Sequence, residues 1–309
     1  MTSIVILSRY PALYSSRRLL EALQSRAVEA RILQPERCAL SLRRGDFGLY
    51  YDGQPLPPPQ AVLPRFGSPL TQLGLRLLQH LAALGSYNLN SGDALFRARD
   101  KFLSLQILAA ASLPIPDSWY LADTSGAEVA FAELGTPLVS KLLSGSQGVG
   151  VNLAESEAGA RALLDTLLLL QHEVLLQRHL PGRADTRVIV LAGEVVAAMR
   201  RKAQAGEFRS NLHRSGRAEL LGATELASGL ADLAVAATAA LQLDFAGVDL
   251  MQDGEGGYVI LEVNPVPSLE GIERVSGVDI AGRVVDLVLS RCSSASAGFP
   301  PRSSRGVVD

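Results

Sequence analysis

Residues 246–271 read AGVDLMQDGEGGYVILEVNPVPSLEG, and this stretch decides how the rest of the chain is understood. Two apolar runs flank a turn holding Asp253, Gly254, Gly256 and Gly257, the pattern of a β-hairpin with a loop longer than two residues. Alternation along a strand puts Ile260, Glu262 and Asn264 on one face and Val259, Leu261 and Val263 on the other. A turn centred near Glu255 and Gly256 sets Asp249 across from Glu262. Two carboxylates and an amide oxygen then meet on strands otherwise apolar enough to belong to a core. Buried carboxylates are costly unless paired or bound to metal, and neither strand carries a Lys or Arg. A hard-oxygen cation site fits. Magnesium suits it best, because that ion takes one or two protein carboxylates and completes its shell with water and phosphate oxygens. An exposed hairpin with acidic residues on its wet face fits the same local pattern.

With 309 residues, 48% of them hydrophobic, the chain can bury a sizeable core in two packed units. Lys and Arg (29) nearly balance Asp and Glu (31), which argues against a nucleic-acid-binding surface. The longest apolar stretch, 162–170, is interrupted by Asp165 and is too short for a bilayer. The opening run 4–7 meets Arg9 at once, so it reads as a buried strand and not a signal peptide. Cys38 and Cys292 match no metal or redox spacing and point to a reducing compartment. The expectation is a soluble, cytoplasmic protein.

The first ninety residues alternate strand and helix: strands at 4–7, 30–33 and 61–63, and helices starting at Ser15 or Ser16 and at Leu70. Such alternation predicts a small parallel sheet of α/β type, with Ser8, Arg9 and Arg65 beyond the strand ends, where ligands bind; ordinary loop residues are the competing reading. A long helix is expected from about 90 to 111. It carries Arg97 and Lys101 as a like-charged i,i+4 pair beside Asp100, which suits an anion or a solvated face. Leu113-Pro114-Ile115-Pro116 reads as a linker.

Residues 137–143 form a strand with Lys141 on the face of Val139 and Leu143, where a charge must find a partner. Ser144-Gly145-Ser146-Gln147-Gly148-Val149-Gly150 follows at once. It is neither a Walker loop nor a strand–GxGxxG–helix fingerprint, and a plain hairpin turn is the bland reading. With Lys141, a fixed cation and a glycine flap together make a reasonable grip on phosphate. A hairpin at 186–199 leads into Arg200-Arg201-Lys202 and then Phe208-Arg209-Ser210-Asn211-Leu212-His213-Arg214, whose composition reads as a solvated loop. The last helix is expected at 280–289, and the Ser/Pro/Arg-rich tail at 292–309 reads as disordered.

Taken together, these pieces resemble an ATP-grasp ligase, and most closely the RimK-type α-L-glutamate ligases. The resemblance rests on Arg97-Ala98-Arg99-Asp100-Lys101, on the 208–214 string, on Ala246-Gly247-Val248-Asp249, on Leu261-Glu262-Val263-Asn264 and on Leu269-Glu270-Gly271-Ile272-Glu273. It implies an ATP-grasp fold over 93–291, with a lid at about 114–177, behind an N-terminal pre-ATP-grasp α/β domain at 1–92. It implies ATP with two magnesium or manganese ions held by Asp249, Glu262 and Asn264. Lys101 and Lys141 would hold phosphate oxygens under a flap of Ser144, Gly145, Ser146, Gln147 and Gly148. Gln177, Arg178 and His179 would pass the adenine edge, with Asp185 near the ribose. Arg209, Ser210 and Asn211 would sit at the transferring phosphate, Arg209 and Asn211 in catalytic roles. The implied activity adds glutamate in α-peptide linkage to a protein C-terminus, notably that of a small-subunit ribosomal protein, or to oligoglutamate. No membrane or direct nucleic-acid partner is implied, and assembly as a homo-oligomer is.

Three departures from the family pattern stand out. Arg178 and His179 replace a Glu and an aromatic residue, Pro265-Val266-Pro267-Ser268 replaces Xaa-Ser-Pro-Gly, and Ser140 replaces an aliphatic residue. A sister ATP-grasp ligase joining another amino acid or a small-molecule acceptor, or a non-catalytic nucleotide-binding regulator, are the rival readings.

Overall fold

The computed structural model describes residues 3–143, 150–182, 184–202, 217–222, 226 and 229–296. Its first sheet is parallel, in the order Glu29–Leu33, Ser3–Leu7, Ala61–Pro64, Tyr87–Asn88. Period-2 alternation divides its side chains: Ile4, Ile6, Ala61 and Leu63 enter one core, while Val5, Leu7 and Val62 pack on the other side with Leu77, Leu78 and Leu81 of helix Thr71–Ala83. A three-stranded antiparallel sheet from Cys38–Arg43, Asp46–Tyr51 and Gln54–Pro55 interrupts the alternation, and the sequence pattern did not announce it.

Helix Tyr14–Gln24 begins one residue before the serines expected to cap it. Both serines are buried instead: the Ser15 hydroxyl accepts from the Leu269 amide at 3.0 Å, and Ser16 donates to Ser8 at 2.9 Å. The expected long helix is two. Gly92–Arg99 ends at Asp100, which leaves helical geometry (φ −75°, ψ 110°), and Asp100 Oδ1 accepts from the Phe102 and Leu103 amides to start Lys101–Ala110. An Asp satisfying two otherwise orphaned N–H groups is a strong N-cap. The break also separates the like charges: Arg97 turns to the Gln242 side chain, and Lys101 turns toward the carbonyls of Leu142 and Leu143.

Next come two antiparallel sheets. The first runs Val151–Ala154, Leu138–Leu142, Val174–Arg178, Ser118–Leu121, and helices Ala127–Leu134 and Glu157–Leu169 cover one face. Its core is its own, built from Leu121, Ala130, Phe131, Leu138, Leu164, Val174 and Leu176. The second runs Arg217–Leu220, Glu194–Lys202, Ala184–Leu191, Phe245–Gln252, Tyr258–Asn264. One of its faces, with Val188, Val190, Val248 and Leu250, packs on helix Leu230–Ala240. On the other, Ile189, Leu191, Met199 and Phe245 join the core shared by the parallel sheet and the last helix. The helix Ile280–Ser296 runs seven residues past the expected end at 289; within it, Cys292 is buried in that shared core. The expectation of a disordered tail falls mainly on 297–309, outside the described residues.

Among the described residues no helix is long and apolar enough to cross a membrane.

Candidate active site

The hairpin register is the expected one: Asp249 pairs with Glu262 and Gly247 with Asn264. A bulge between Asp249 and Leu250 changes the faces, however. Leu250 pairs with Ile260, so Leu261 is the extra residue, and Ile260 turns to the same core as Val263 while Leu261, Glu262 and Asn264 line a cavity. The expected grouping of Ile260 with Glu262 is thereby corrected: one extra residue shifts the alternation by one. The linker docks here, since the Ile260 amide donates to the Pro114 carbonyl at 2.8 Å.

The cavity, of about 520 Å³, lies between the two antiparallel sheets and the C-terminal ends of the parallel strands. Lys101, Lys141, Gln177, Arg178, His179, Asp185, Asp249, Glu262 and Asn264, all singled out in the sequence, line this one space. Val139, Val151, Leu175, Leu261 and Met251 supply apolar walls. Ser144, Gly145, Ser146, Gln147, Gly148, Arg209, Ser210 and Asn211 lie outside the described residues. Gly150, which ends the flap, has φ +75°, and a Cβ there would come within 2.8 Å of the Leu142 side chain, so only glycine fits without displacement.

Asp249 is buried, and its own hairpin carries no cation to pair with it. The neighbouring strands supply two cations. Arg187, across the sheet, donates through Nε and Nη2 at 2.7 and 2.6 Å. Arg201 Nη2 lies 2.9 Å from Asp249, and Arg201 also holds Asp185 through two contacts of 2.6 Å. Burial alone would raise the Asp249 carboxyl, but the two guanidiniums outweigh it and hold it down at about 2. Arg201 therefore does not belong to a solvated loop. It sits in strand Glu194–Lys202 with its side chain 3% exposed. Asp185, expected near a ribose, lines the wall while its carboxylate serves Arg201.

Glu262 differs from its neighbour. It opens into the cavity and has no hydrogen bond or ion pair among the described residues; enclosure and the Asp249 charge push its carboxyl up. The Lys141 ammonium likewise has no partner there, and burial pulls it down. Burial also lowers Lys101, to about 8, with Glu262 opposing and Lys141 reinforcing the shift.

No cluster of three or more His, Cys, Asp or Glu suited to a metal exists among the described residues. The candidate cation site is two carboxylates and the Asn264 amide, whose Oδ1 also accepts from the Val266 amide at 2.9 Å. That set fits magnesium, which leaves much of its shell to phosphate oxygens and water. The Glu262 carboxylate, which no hydrogen bond or ion pair engages among the described residues, is the observation that favours it.

At the expected adenine edge, the Arg178 amide is engaged by the Asp117 carbonyl at 2.9 Å and its side chain by the Asp117 carboxylate at 2.8 Å. Gln177 is paired on both sides in its sheet, and its side chain donates to Ser118. Ser140 points into the core of the four-stranded sheet that carries Lys141, with its hydroxyl buried and unpartnered.

A cation-lined cleft between two antiparallel sheets, beside a small parallel domain, defines an ATP-grasp ligase. Residues 98–288 match the RimK-like ATP-grasp domain, and residues 2–95 match the RimK PreATP-grasp domain. The chain belongs to this RimK-type family of ATP-dependent ligases. It is 40% identical to a protein of Thioalkalivibrio sulfidiphilus named "Probable alpha-L-glutamate ligase", over 92% of this chain and 94% of that one. A Haemophilus influenzae protein of the same name is also 40% identical, over 92% and 97%. Among solved structures, the ATP-grasp ligase PsnB, complexed with minimal precursor, Mg and ADP, superposes with a TM-score of 0.73 at 23% identity, covering 94% of this chain and 98% of that one.

Proposed function

We propose that this ligase joins the amine of glutamate to a C-terminal carboxylate, of a protein or of oligoglutamate, in α-peptide linkage. The acceptor expected from the family resemblance is a small-subunit ribosomal protein in the cytoplasm. One observation carries the reading: an unpartnered ammonium, Lys141, and an unpartnered carboxylate, Glu262, share a cavity with an Asp249 held ionised by Arg187 and Arg201. The relatives' names supply the choice of glutamate.

A carboxylate resists attack by an amine, so the γ-phosphoryl of ATP first converts it to an acyl phosphate; the amine then attacks and phosphate departs. In this assignment Asp249, Glu262 and Asn264 would hold two magnesium or manganese ions, which would offset charge on the phosphates. Arg187 and Arg201 keep Asp249 deprotonated and fixed for that task. Lys141 and Lys101 take phosphate oxygens, Lys101 from a helix that starts at a firm cap. The sheet carrying Lys141 covers the cleft and keeps water from a hydrolysable intermediate. Arg209 and Asn211, with Ser210, are assigned to the transferring phosphate through the resemblance.

The test is mass spectrometry of protein, ATP, magnesium and glutamate, with and without a candidate acceptor, with ADP release read in parallel. A ladder of glutamyl additions supports the reading. ADP release with another amino acid and none with glutamate replaces it by the sister-ligase reading, and ATP binding without any turnover replaces it by the regulator.

A further inference from the structure

The parallel-sheet end of the cavity holds a second group of polar residues that the phosphate chemistry leaves unused. Arg65 follows strand Ala61–Pro64, where such sheets present ligands. Its Nη2 donates to the Pro267 carbonyl at 2.8 Å, in the loop after Asn264. Its Nε and Nη1 are buried without any partner, and no carboxylate pairs with it among the described residues. Three residues on, the Ser68 hydroxyl is also buried without a partner. Arg99 holds the backbone of this loop, donating to the carbonyls of Phe66 and Gly67 and to the Thr71 hydroxyl, and no carboxylate pairs with it either. Arg65, Ser68 and Arg99 all line the cavity that contains Glu262. Enclosure pulls both guanidiniums down to about 10, with the Arg99 charge adding to the burial of Arg65.

An enclosed guanidinium with donors to spare is costly unless an anion arrives. Three unmet donor atoms on one short loop, with a second cation behind them, fit a carboxylate, which accepts several hydrogen bonds from such groups. No carboxylate pairs with either guanidinium among the described residues, which sets this place apart from the phosphate end. Carboxylate ligation also demands such a place. Each substrate here carries a carboxylate that must not be activated, and it must be held away from the transferring phosphoryl.

We propose that Arg65 and Ser68 form a specificity pocket for a non-reacting carboxylate of the amino-acid or acceptor substrate, on a loop braced by Arg99. This rests on the ligase reading above. The carboxylate comes either from the incoming amino acid, at its α or side-chain position, or from the side chain of the acceptor's terminal residue.

Steady-state kinetics of wild type, Arg65→Gln, Arg65→Lys and Ser68→Ala separate these sources, using glutamate, its α-amide, its γ-amide, and acceptor peptides ending in Glu or Gln. Arg65→Gln is expected to raise the KM of one carboxylate substrate roughly 10- to 100-fold, the loss of a charged hydrogen bond, with KM for ATP nearly unchanged. The wild-type preference for that acid over its own amide then collapses, and the amide showing the collapse names the carboxylate. Ser68→Ala and Arg65→Lys move the same ratio less, and they carry the test if Arg65→Gln does not fold. Unchanged KM and unchanged acid-to-amide ratios across the variants overturn the pocket. Titrating glutamate and the acceptor peptides into protein saturated with ADP and magnesium reads the pocket directly: absence of binding overturns it. Absence of ADP release from wild type with every amino acid instead overturns the ligase reading.

Discussion

Arg187 grips Asp249 with two parallel hydrogen bonds across adjacent antiparallel strands, Nε to Oδ1 at 2.7 Å and Nη2 to Oδ2 at 2.6 Å. Planar, two-point pairing of this kind orients a carboxylate as well as neutralising it. It leaves the cavity with two carboxylates of unlike character: Asp249 is held by protein hydrogen bonds and ion pairs, and Glu262 is not.

That contrast predicts opposite effects on stability. Asp249→Asn strands Arg187 and part of Arg201, and breaking a buried pair in this way costs about 3–5 kcal/mol. Glu262→Gln removes a carboxylate that no hydrogen bond or ion pair engages and only weakens the field around Lys141, so its Tm should fall far less than that of Asp249→Asn. Thermal unfolding without nucleotide measures both, and equal losses would contradict the pairing. Both variants should lose ATP turnover.

Lys101 should make nucleotide binding depend on pH. Its ammonium titrates near 8 in the free protein because it is buried, and above that pH the amine is neutral and offers phosphate no charge. ATP affinity should therefore be full at pH 7 and fall as pH rises through about 8. Lys101→Met should bind weakly at pH 7 and lose this step. The folded value lies below the ordinary 10.5, so the unfolded chain holds the extra proton between them and this residue's contribution to stability rises across that window. Calorimetric titrations at pH 7 and 9 check the binding.

Asp100→Ala should cost about 1 kcal/mol through loss of the helix cap. It should also raise KM for ATP, because Lys101 is the first residue of the helix that cap starts. The cap variant thus tests whether the placement of Lys101 matters separately from its charge. Asp100→Asn, which keeps the acceptor oxygen, should restore most of the binding.

Ser140 lies in the core of the four-stranded sheet of residues 118–178 with an unpartnered hydroxyl, a burden of about 1–3 kcal/mol. Ser140→Ala should stabilise that sheet, and Ser140→Val should do so if the core accommodates its methyls. Slower proteolysis between residues 118 and 178, with KM for ATP unchanged, is the expected readout.

Much of the site was legible because its residues break a pattern. Lys141 on an apolar strand, and Glu262 opposite Asp249 across a glycine turn, follow from period-2 alternation and turn position alone. The missed elements depend on which strands become neighbours. Arg187 looks ordinary in its own strand, and Arg201 sits in a run whose composition suits a solvated loop. Only the order of the five-stranded sheet sets both beside Asp249. Still, an Arg alternating with buried Ile189 and Leu191 was a usable signal for Arg187. The bulge at Leu261 has no local signature in a run of apolar residues. Asp100 reads in the sequence only as a charge beside Arg97 and Lys101, because the helical periodicity continues through it and hides the break.

The core that strand Ser3–Leu7 shares with helix Ile280–Ser296 sets an order of events during synthesis. The four-stranded sheet of residues 118–178 closes its own core and can complete it once that stretch has left the ribosome. Leu19 and Leu23 join Ile4 and Ile6 in the opening strand's core early in the chain, but that core is completed only when the last helix emerges to lie against helix Tyr14–Gln24, where Arg26 meets Asp286 at 2.6 Å. The part of the chain made first is finished last, and a truncated nascent chain carries an incompletely covered apolar core however well the sheet of residues 118–178 has folded.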